Sequence, residues 1–381
     1  MPILPDLLTY APTIVAEFHL SLPQDLTTSL FLLRSVEAFE GLSEWVYQTA
    51  AALPKDFWAE LNLLGYPIKW CFRRHDSLIW RLPPEHPIHR DLDAFFRYLE
   101  DMPAQEFQRL LLLNLTREAS STLTHPPAQA DDEGTGLLQD PDAWRRTLHQ
   151  VRQLERERLG QAFVDLIEDE ALITLMQHPA RFKQRLIHLL TRFRDAFYHH
   201  DLEKRREAMA RSVAYHRQQT YSHNFGDVFR QVTGRALPST VQDYVQGHLD
   251  KIERVIFSPC AHLGLYYQLT LSYPTLAVAF NYRTTPTQAA QDSTAVELFP
   301  PLKALADESR LHILSLLQEQ ERCTQEIVDV VGLSQSTVSR HLQLLERTEV
   351  VVSRQEHRTK YYSIDRSKGK AIIAALQRLI G

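Results

Sequence analysis

The chain has 381 residues, 44% of them hydrophobic and 23% charged, with a formal net charge of -5 at pH 7. That is ordinary for a globular protein of two or three domains, each able to bury a core, and it excludes a chain coated with basic residues for indiscriminate nucleic-acid binding. Cys71, Cys260 and Cys323 are isolated, which points to a reducing cytosol rather than a disulfide framework. No apolar run nears the roughly 18 residues of a membrane span. Met1-Pro2 opens without a basic segment and apolar signal core, so a cytoplasmic location is expected.

Residues 1–20 can form an edge strand or a short helix, and Asp25 to Leu33 leads into a helical region ending near Leu53-Pro54. Lys55 to Leu64 has the spacing of an amphipathic helix, with Gly65 as its end. Pro67 to Leu82 carries Trp70, Phe72, Ile79 and Trp80 and is expected to be extended, stopped by Pro83-Pro84. Leu92 to Thr122 reads as one or two helices with Phe95, Phe96, Leu99, Phe107, Leu110, Leu111 and Leu113 as core. His125 to Asp142, rich in Pro, Asp and Gly, is expected to be a loop or linker.

Trp144, Leu148, Val151, Leu154, Leu159, Phe163, Leu166 and Ile167 fall near helical spacing and predict one long helix. Arg181 to His199 and Leu202 to Tyr221 continue the pattern. Lys204-Arg205-Arg206 alternates with Glu203 and Glu207, the pattern of a solvated helix face. The period then shortens: Val255-Ile256-Phe257, Leu269 to Ser272 and Leu276 to Tyr282 are β-like, the last two joined at Tyr273-Pro274-Thr275, and a small antiparallel sheet is predicted. Arg283 to Glu297 is the expected hinge.

The final segment has more definite punctuation. Leu302, Leu305 and Ala306 mark a short helix from Phe299, with Pro300 and Pro301 near its start. Asp307 or Ser309 can cap the next helix, where Leu311, Ile313, Leu314, Leu316 and Leu317 supply a wide buried face before polar Gln318 to Arg322. Thr324 is the expected cap of a helix with Ile327, Val328 and Val331 inward, ended by Gly332 in the left-handed conformation. Ser334 caps the following helix. There Val338, Leu342 and Leu345 form the docking stripe, while Gln335, Ser336, Thr337, Ser339 and Arg340 cluster at the end a recognition helix presents to the major groove. Val350 to Val352 and Tyr361, Tyr362 and Ile364 predict a β-hairpin. Its polar loop carries Arg354, His357, Arg358 and Lys360, suited to phosphate contact beside the groove.

The stretch Leu305-Ala306-Asp307-Glu308-Ser309-Arg310-Leu311-His312-Ile313-Leu314, followed by Leu333-Ser334-Gln335-Ser336-Thr337-Val338-Ser339-Arg340-His341-Leu342, resembles the ArsR/SmtB family of bacterial transcriptional regulators over residues 299–381. The resemblance implies a winged helix-turn-helix that binds DNA as a dimer through its first and last helices, here Leu302 and Leu305 with Ile372, Ile373, Leu376 and Leu379. Glu349 and His357 stand where the family often has Gly. The family's metal-sensing members carry paired thiols, or paired His and acidic residues on the last helix; Cys323 stands alone and residues 366–381 contain no His, so no metal is expected there. Leu22 to Leu53 and Ile256-Phe257-Ser258-Pro259-Cys260 weakly resemble the N-terminal extension of some larger ArsR-like regulators.

The sequence thus predicts a mainly α chain with small β elements. Residues 1–290 form a mostly helical N-terminal domain with a short antiparallel sheet and a loop near 125–142, and residues 299–381 form the winged helix-turn-helix. From Leu333 onward Lys and Arg outnumber Asp and Glu, which favours DNA as partner. His341 is expected to be packed rather than base-reading, and Arg347 and Arg378 to be solvated. His188, His199, His200, Asp201, His216 and His223 could converge on a metal, but Tyr198-His199-His200-Asp201 also fits a helix end in which Asp caps the next helix, and that reading is preferred. No Gly-rich phosphate loop, Gly-x-Ser-x-Gly elbow or His-Glu-x-x-His occurs, so neither catalysis nor a cofactor is expected. The expected protein is a homodimeric repressor whose N-terminal domain senses a small apolar molecule or a protein partner. The competing readings are a scaffold using the winged domain for assembly and an enzyme hidden in the N-terminal domain.

Overall fold

The computed structural model describes the chain except residues 1–14, 37–38, 40, 74–76, 123–139, 160–168, 236, 238–244, 246, 249–250, 285–292, 357–358 and 381, and except the side chains at 118–122, 141, 154–159, 169, 284, 293–297, 299 and 378–379. Strand β1 (Ala16–Phe18) precedes α1 (Leu22–Leu33), whose first turn is closed by the Ser21 hydroxyl accepting from the Gln24 N–H. After α2 (Glu44–Ala52) comes α3 (Lys55–Phe72). It runs through Gly65 and Pro67, so the predicted end at Gly65 and extended run from Pro67 are both corrected. A tertiary contact explains the glycine: a Cβ there would lie 2.5 Å from the buried Arg34 guanidinium at the end of α1. Trp70 and Phe72 are consequently core residues on a helix.

Helices α4 (Leu92–Asp101) and α5 (Ala104–Thr122) divide the next segment and bury all seven predicted core residues. The predicted linker lies almost wholly outside the described residues; Pro141 already begins α6 (Pro141–Leu159), followed by α7 (Asp169–Met176). The junction at 160–168, where a single long helix is predicted, is likewise outside them. Helix α8 (Pro179–Phe193) passes into a π-helical turn at Arg194–Tyr198, then α9 (Leu202–Arg217) and α10 (Phe225–Thr233). Asp201 occupies the cap position of α9 in the left-handed region, φ 58°, yet its side chain makes no capping bond, contrary to expectation.

Among the described residues the N-terminal sheet has β1, β2 (Arg254–Cys260), β4 (Thr275–Asn281) and β3 (Gln268–Ser272) in that order. The predicted β3–β4 hairpin is present, with Leu269 opposite Val278, but β2 pairs parallel with both β1 and β4, so the sheet is mixed rather than antiparallel. Both faces of β4 are covered. Ala277 and Ala279 meet the helical core around Trp70, Phe95, Phe107 and Phe193, whereas Val278 and Phe280 meet Phe229 of α10 with Phe18 and Phe257. A strand buried on two faces reads as a continuous apolar run and carries little sign of its pairing direction.

Polar groups are built into this interior. Asp25 accepts hydrogen bonds from the Tyr198 hydroxyl (2.6 Å) and the Ala261 N–H (2.7 Å), all three residues being buried. Burial raises the Asp25 pKa, and the Tyr198 hydrogen bond opposes the rise. Arg205 packs its guanidinium on the Tyr198 ring and donates to the Tyr198 and His200 carbonyls, so one member of the run expected on a solvated face is buried. Arg206 does pair with Glu203 at the surface.

The C-terminal domain contains α11 (Ser293–Leu305), α12 (Glu308–Glu319), β5 (Arg322–Cys323), α13 (Thr324–Val331), α14 (Gln335–Arg347), β6 (Val351–Glu356), β7 (Thr359–Ile364) and α15 (Arg366–Ile380). Part of the predicted hinge is thus helical, and Pro300 and Pro301 lie inside α11 rather than near its start. Buried Leu298 and Pro301 anchor that stretch despite the missing N–H donors. Asp307 caps α12, accepting from the Arg310 N–H at 2.9 Å. Ile313 and Leu317 are buried, Leu314 and Leu316 half-buried, but Leu311 is 53% exposed, so the core face is narrower than predicted.

Candidate nucleic-acid interface

The interface is assembled around α13, a turn and α14. Cys323 rather than Thr324 is the cap residue of α13, with its N–H donating to the Glu326 carboxylate at 2.7 Å. Gly332 then takes φ 73° with its N–H bonded to the Val328 carbonyl, the left-handed stop expected of it. Ser334 caps α14 by accepting from the Thr337 N–H at 3.2 Å. Val338, Leu342 and Leu345 are completely buried against Ile313 and Ile327, which fixes α14 by its apolar stripe.

The opposite flank is open. Gln335 and Ser336 are exposed, and Thr337, Ser339 and Arg340 are half-buried. Ser334 links to both the Ser336 and Thr337 hydroxyls, and Arg340 Nη2 lies 3.4 Å from Thr337 Oγ1, so the polar groups form one connected surface at the amino end of the helix. Short hydroxyls with one long guanidinium allow close approach to a groove floor and a bidentate reach to a base edge. The positive end of the helix dipole faces the same way, which suits phosphate.

His341 is buried, its Nδ1 3.4 Å from Arg310 Nη1, in keeping with the packed role expected of it. Arg310 is a residue the sequence reading missed. It is buried and donates to the Lys303 and Ala304 carbonyls at the end of α11, so it ties that helix to α14. Its only sequence signal is its place in the Ala306-Asp307-Glu308-Ser309-Arg310 run.

Strands β6 and β7 form the wing, pairing Val351 with Ile364 and Glu356 with Thr359. Arg354 is exposed, bonded to Glu321 and Glu356 and lying 5.0 Å from the Tyr361 ring centroid. Those hydrogen bonds hold the Glu321 carboxyl below its usual range. Lys360 pairs with Glu346 at 2.8 Å. Both cations therefore have acidic partners, in ion pairs exposed enough to be worth little. His357 and Arg358 lie outside the described residues. Glu349, at the position where Gly is common in the resembled family, has φ 60° and is held by Lys368 at 2.7 Å, so the turn keeps a glycine-like backbone with a charged residue.

Of the residues proposed for dimerisation, Ile372 is buried within its own domain, while Leu302, Leu305 and Leu376 are half-buried against the same core. Ile373 and Ile380 are exposed, at 58% and 82%. The Leu379 and Arg378 side chains lie outside the described set. Arg347, expected to be solvated, is instead half-buried against the Tyr266 and Phe39 rings. His188, His199, His200, Asp201, His216 and His223 do not converge: His216 stacks on Phe18, and the metal-like trio among the described residues is Glu17, His19 and Glu85, where Arg254 already binds both Glu17 oxygens. No helix among the described residues is long and apolar enough to cross a membrane.

This helix-turn-helix with its hairpin wing defines the class of winged DNA-binding domains. The family model described as bacterial regulatory protein, arsR family, matches residues 307–353. The transcriptional activator HlyU of Vibrio cholerae is 41% identical over 78 residues, which are 20% of this chain and 72% of that protein. The arsenical resistance operon repressor of Staphylococcus aureus is 36% identical over 69 residues, 18% of this chain and 66% of the repressor. Among solved structures, HlyU from Vibrio cholerae N16961 is 39% identical, covering 24% of this chain and 95% of its own, with a TM-score of 0.19. The chain belongs to the arsR family of bacterial regulatory proteins and is a DNA-binding transcriptional regulator with a large region beyond its helix-turn-helix.

Proposed function

We propose that the protein is an operator-binding repressor that acts as a homodimer. Each subunit would place the amino end of α14 in successive major grooves while Arg354, Arg358 and Lys360 contact flanking phosphates. The carrying observation is the open polar flank from Gln335 to Arg340, set on a helix whose other side is sealed into the core. Pairing through the outer helices is supported by exposed Ile373 and Ile380 on α15, apolar side chains that a second copy would cover. The relatives' names carry both signs of regulation. Repression is preferred because a dimer on an operator blocks polymerase without additional parts.

The N-terminal domain is read as the effector-sensing part. Clefts of about 630 and 540 Å³ lie on either side of the π-helical turn. The larger is lined by charges of both signs, including Arg90, Asp93, Arg194 and Arg206. The smaller combines Pro54, Phe57, Ala196 and Phe197 with His188, Arg192 and Asp195, a lining that suits a small molecule with an apolar body and a polar group. An effector acts only if it binds the DNA-competent and DNA-incompetent states unequally.

Electrophoretic shift on the chain's own upstream DNA tests the reading. Arg340→Ala should cost about 1–3 kcal/mol and relax sequence choice, whereas Lys360→Ala and Arg358→Ala should weaken all sequences together and flatten the salt dependence. Binding that is uniform across sequences and insensitive to all three substitutions would favour the assembly-scaffold reading. Titrated effectors that never alter operator affinity would remove the sensing role.

A further inference from the structure

The carboxyl end of α14 is gripped by the N-terminal domain. Arg347, the last residue of the helix, is half-buried with its guanidinium 3.8 Å from the Tyr266 ring centroid and 5.3 Å from that of Phe39. Tyr266 and Phe39 meet edge to face at 5.1 Å, so the cation sits against a preformed aromatic pair. Burial lowers the Arg347 pKa, as expected for a charge removed from water. Arg235, which follows α10, donates from Nη1 to the Arg347 carbonyl. That places a cation on the negative end of the helix dipole and satisfies a carbonyl that a helix end leaves open.

The loop that carries Tyr266 is itself held tightly. Gly264 has φ 59°, and a Cβ there would lie 2.2 Å from the Gly41 carbonyl oxygen. The Leu265 N–H donates to that oxygen at 2.9 Å, and Asn281 at the end of β4 donates to the Gly264 carbonyl at 2.9 Å. Leu265 packs into the winged domain's core, and a Cβ on Gly41 would lie 2.6 Å from it and 3.4 Å from Leu344 of α14. The same chain segment begins at Ala261, whose N–H is bound by buried Asp25, and passes through His262, which stacks on Trp45 at 3.9 Å. A rearrangement of the N-terminal core would therefore move the loop that holds the recognition helix.

We propose that residues 263–267, with Phe39 and Arg235, form a clamp on the recognition helix through which the N-terminal domain sets DNA affinity, and that the clamped state is the DNA-competent one. The polarity is assigned from the clamped state itself, in which the carboxyl end of the helix is held and Gln335 and Ser336 are exposed. The inference rests on α14 being the DNA reader, and its test separates the two. In the full chain, Tyr266→Ala and Arg235→Ala should each weaken operator affinity roughly 5- to 150-fold without changing sequence preference. Tyr266→Phe, which keeps the ring and loses only the hydroxyl's hydrogen bond to Arg347, should lose much less affinity than Tyr266→Ala. Arg347→Leu combined with Tyr266→Ala should be little worse than either alone, because both break one contact.

Hydrogen exchange without DNA supplies the second arm, with amides 344–350 expected to exchange faster in the two alanine variants and not in Tyr266→Phe. If the unsubstituted chain binds no DNA, the reader assignment fails while exchange still decides the clamp. Unchanged exchange and unchanged affinity in both alanine variants, or strictly additive losses, would overturn the clamp.

Discussion

The winged domain and the region before it are stabilised by different balances of contacts. The winged domain packs aliphatic residues that lie close in sequence, Ile313, Leu317, Ile327, Val338, Leu342 and Leu345, with Arg310 and His341 buried beside them over short spans. The N-terminal domain buries a carboxylate, arginines, histidines and glutamines among its aromatics, and joins them over long spans, as with Asp25 and Ala261, 236 positions apart. The local domain is robust in outline because short-range periodicity specifies it. The long-range domain depends on polar partners arriving together, since a buried polar group without its partner is costly.

The largest effect that sharpens this contrast is Leu342→Ala. Removing a fully buried leucine should destabilise the winged domain by about 2–5 kcal/mol, read in denaturant titration as a shift of its transition ahead of the N-terminal one. A single transition moving as a unit would break the contrast. Acid comes next, and it should act on the N-terminal domain. Burial lowers the pKa of His89 to about 4, and that of His216 to about 4. A depressed folded pKa means the unfolded chain takes up the proton first, so stability falls as pH drops from about 6.5 and the loss is complete near 4. For completely buried His89 the loss is about 3 kcal/mol. Asp25 works in the opposite sense, because its raised pKa means that acidification relieves its burial. Thermal melts from pH 7 to 4 should therefore show a fall that His89→Gln with His216→Gln reduces; a flat profile would place these rings in solvent.

Smaller is Tyr198→Phe, which leaves one Asp25 oxygen without its buried donor and should cost about 1–3 kcal/mol by urea midpoint, confined to the N-terminal transition. Smallest is Gly332→Ala. No atom lies within 4 Å of the added Cβ, so only the left-handed backbone resists it, at about 1 kcal/mol in the winged transition. A loss of several kcal/mol would mean the turn has a packing role.

Legibility follows the same division. The caps at Asp307 and Ser334, the Gly332 stop and the stripe on α14 are written in neighbouring residues, and so is the β3–β4 hairpin. Gly65 looks like a helix end until Arg34 is seen to need its space. Arg205 looks solvated between glutamates, but the carbonyls of Tyr198 and His200 and the Tyr198 ring enclose it. Arg347 looks like a free cation on a helix end because its aromatic partners lie far back in the chain. In the candidate site, the open polar flank of α14 was visible in the sequence, whereas Arg310 and the acidic partners of the wing cations were not.

By itself the sequence determined that a helix-turn-helix ends this chain, that one flank of α14 is polar, and that a mostly helical region precedes it, because capping and periodicity act over a few residues. Only the tertiary structure decided the parallel pairing of β2, the burial of Asp25 with Tyr198, and the seating of Arg347 on Tyr266. Those contacts join residues far apart in the chain, and whether packing and polar partners offset the cost of desolvating Asp25 and Arg347 is something no local pattern encodes.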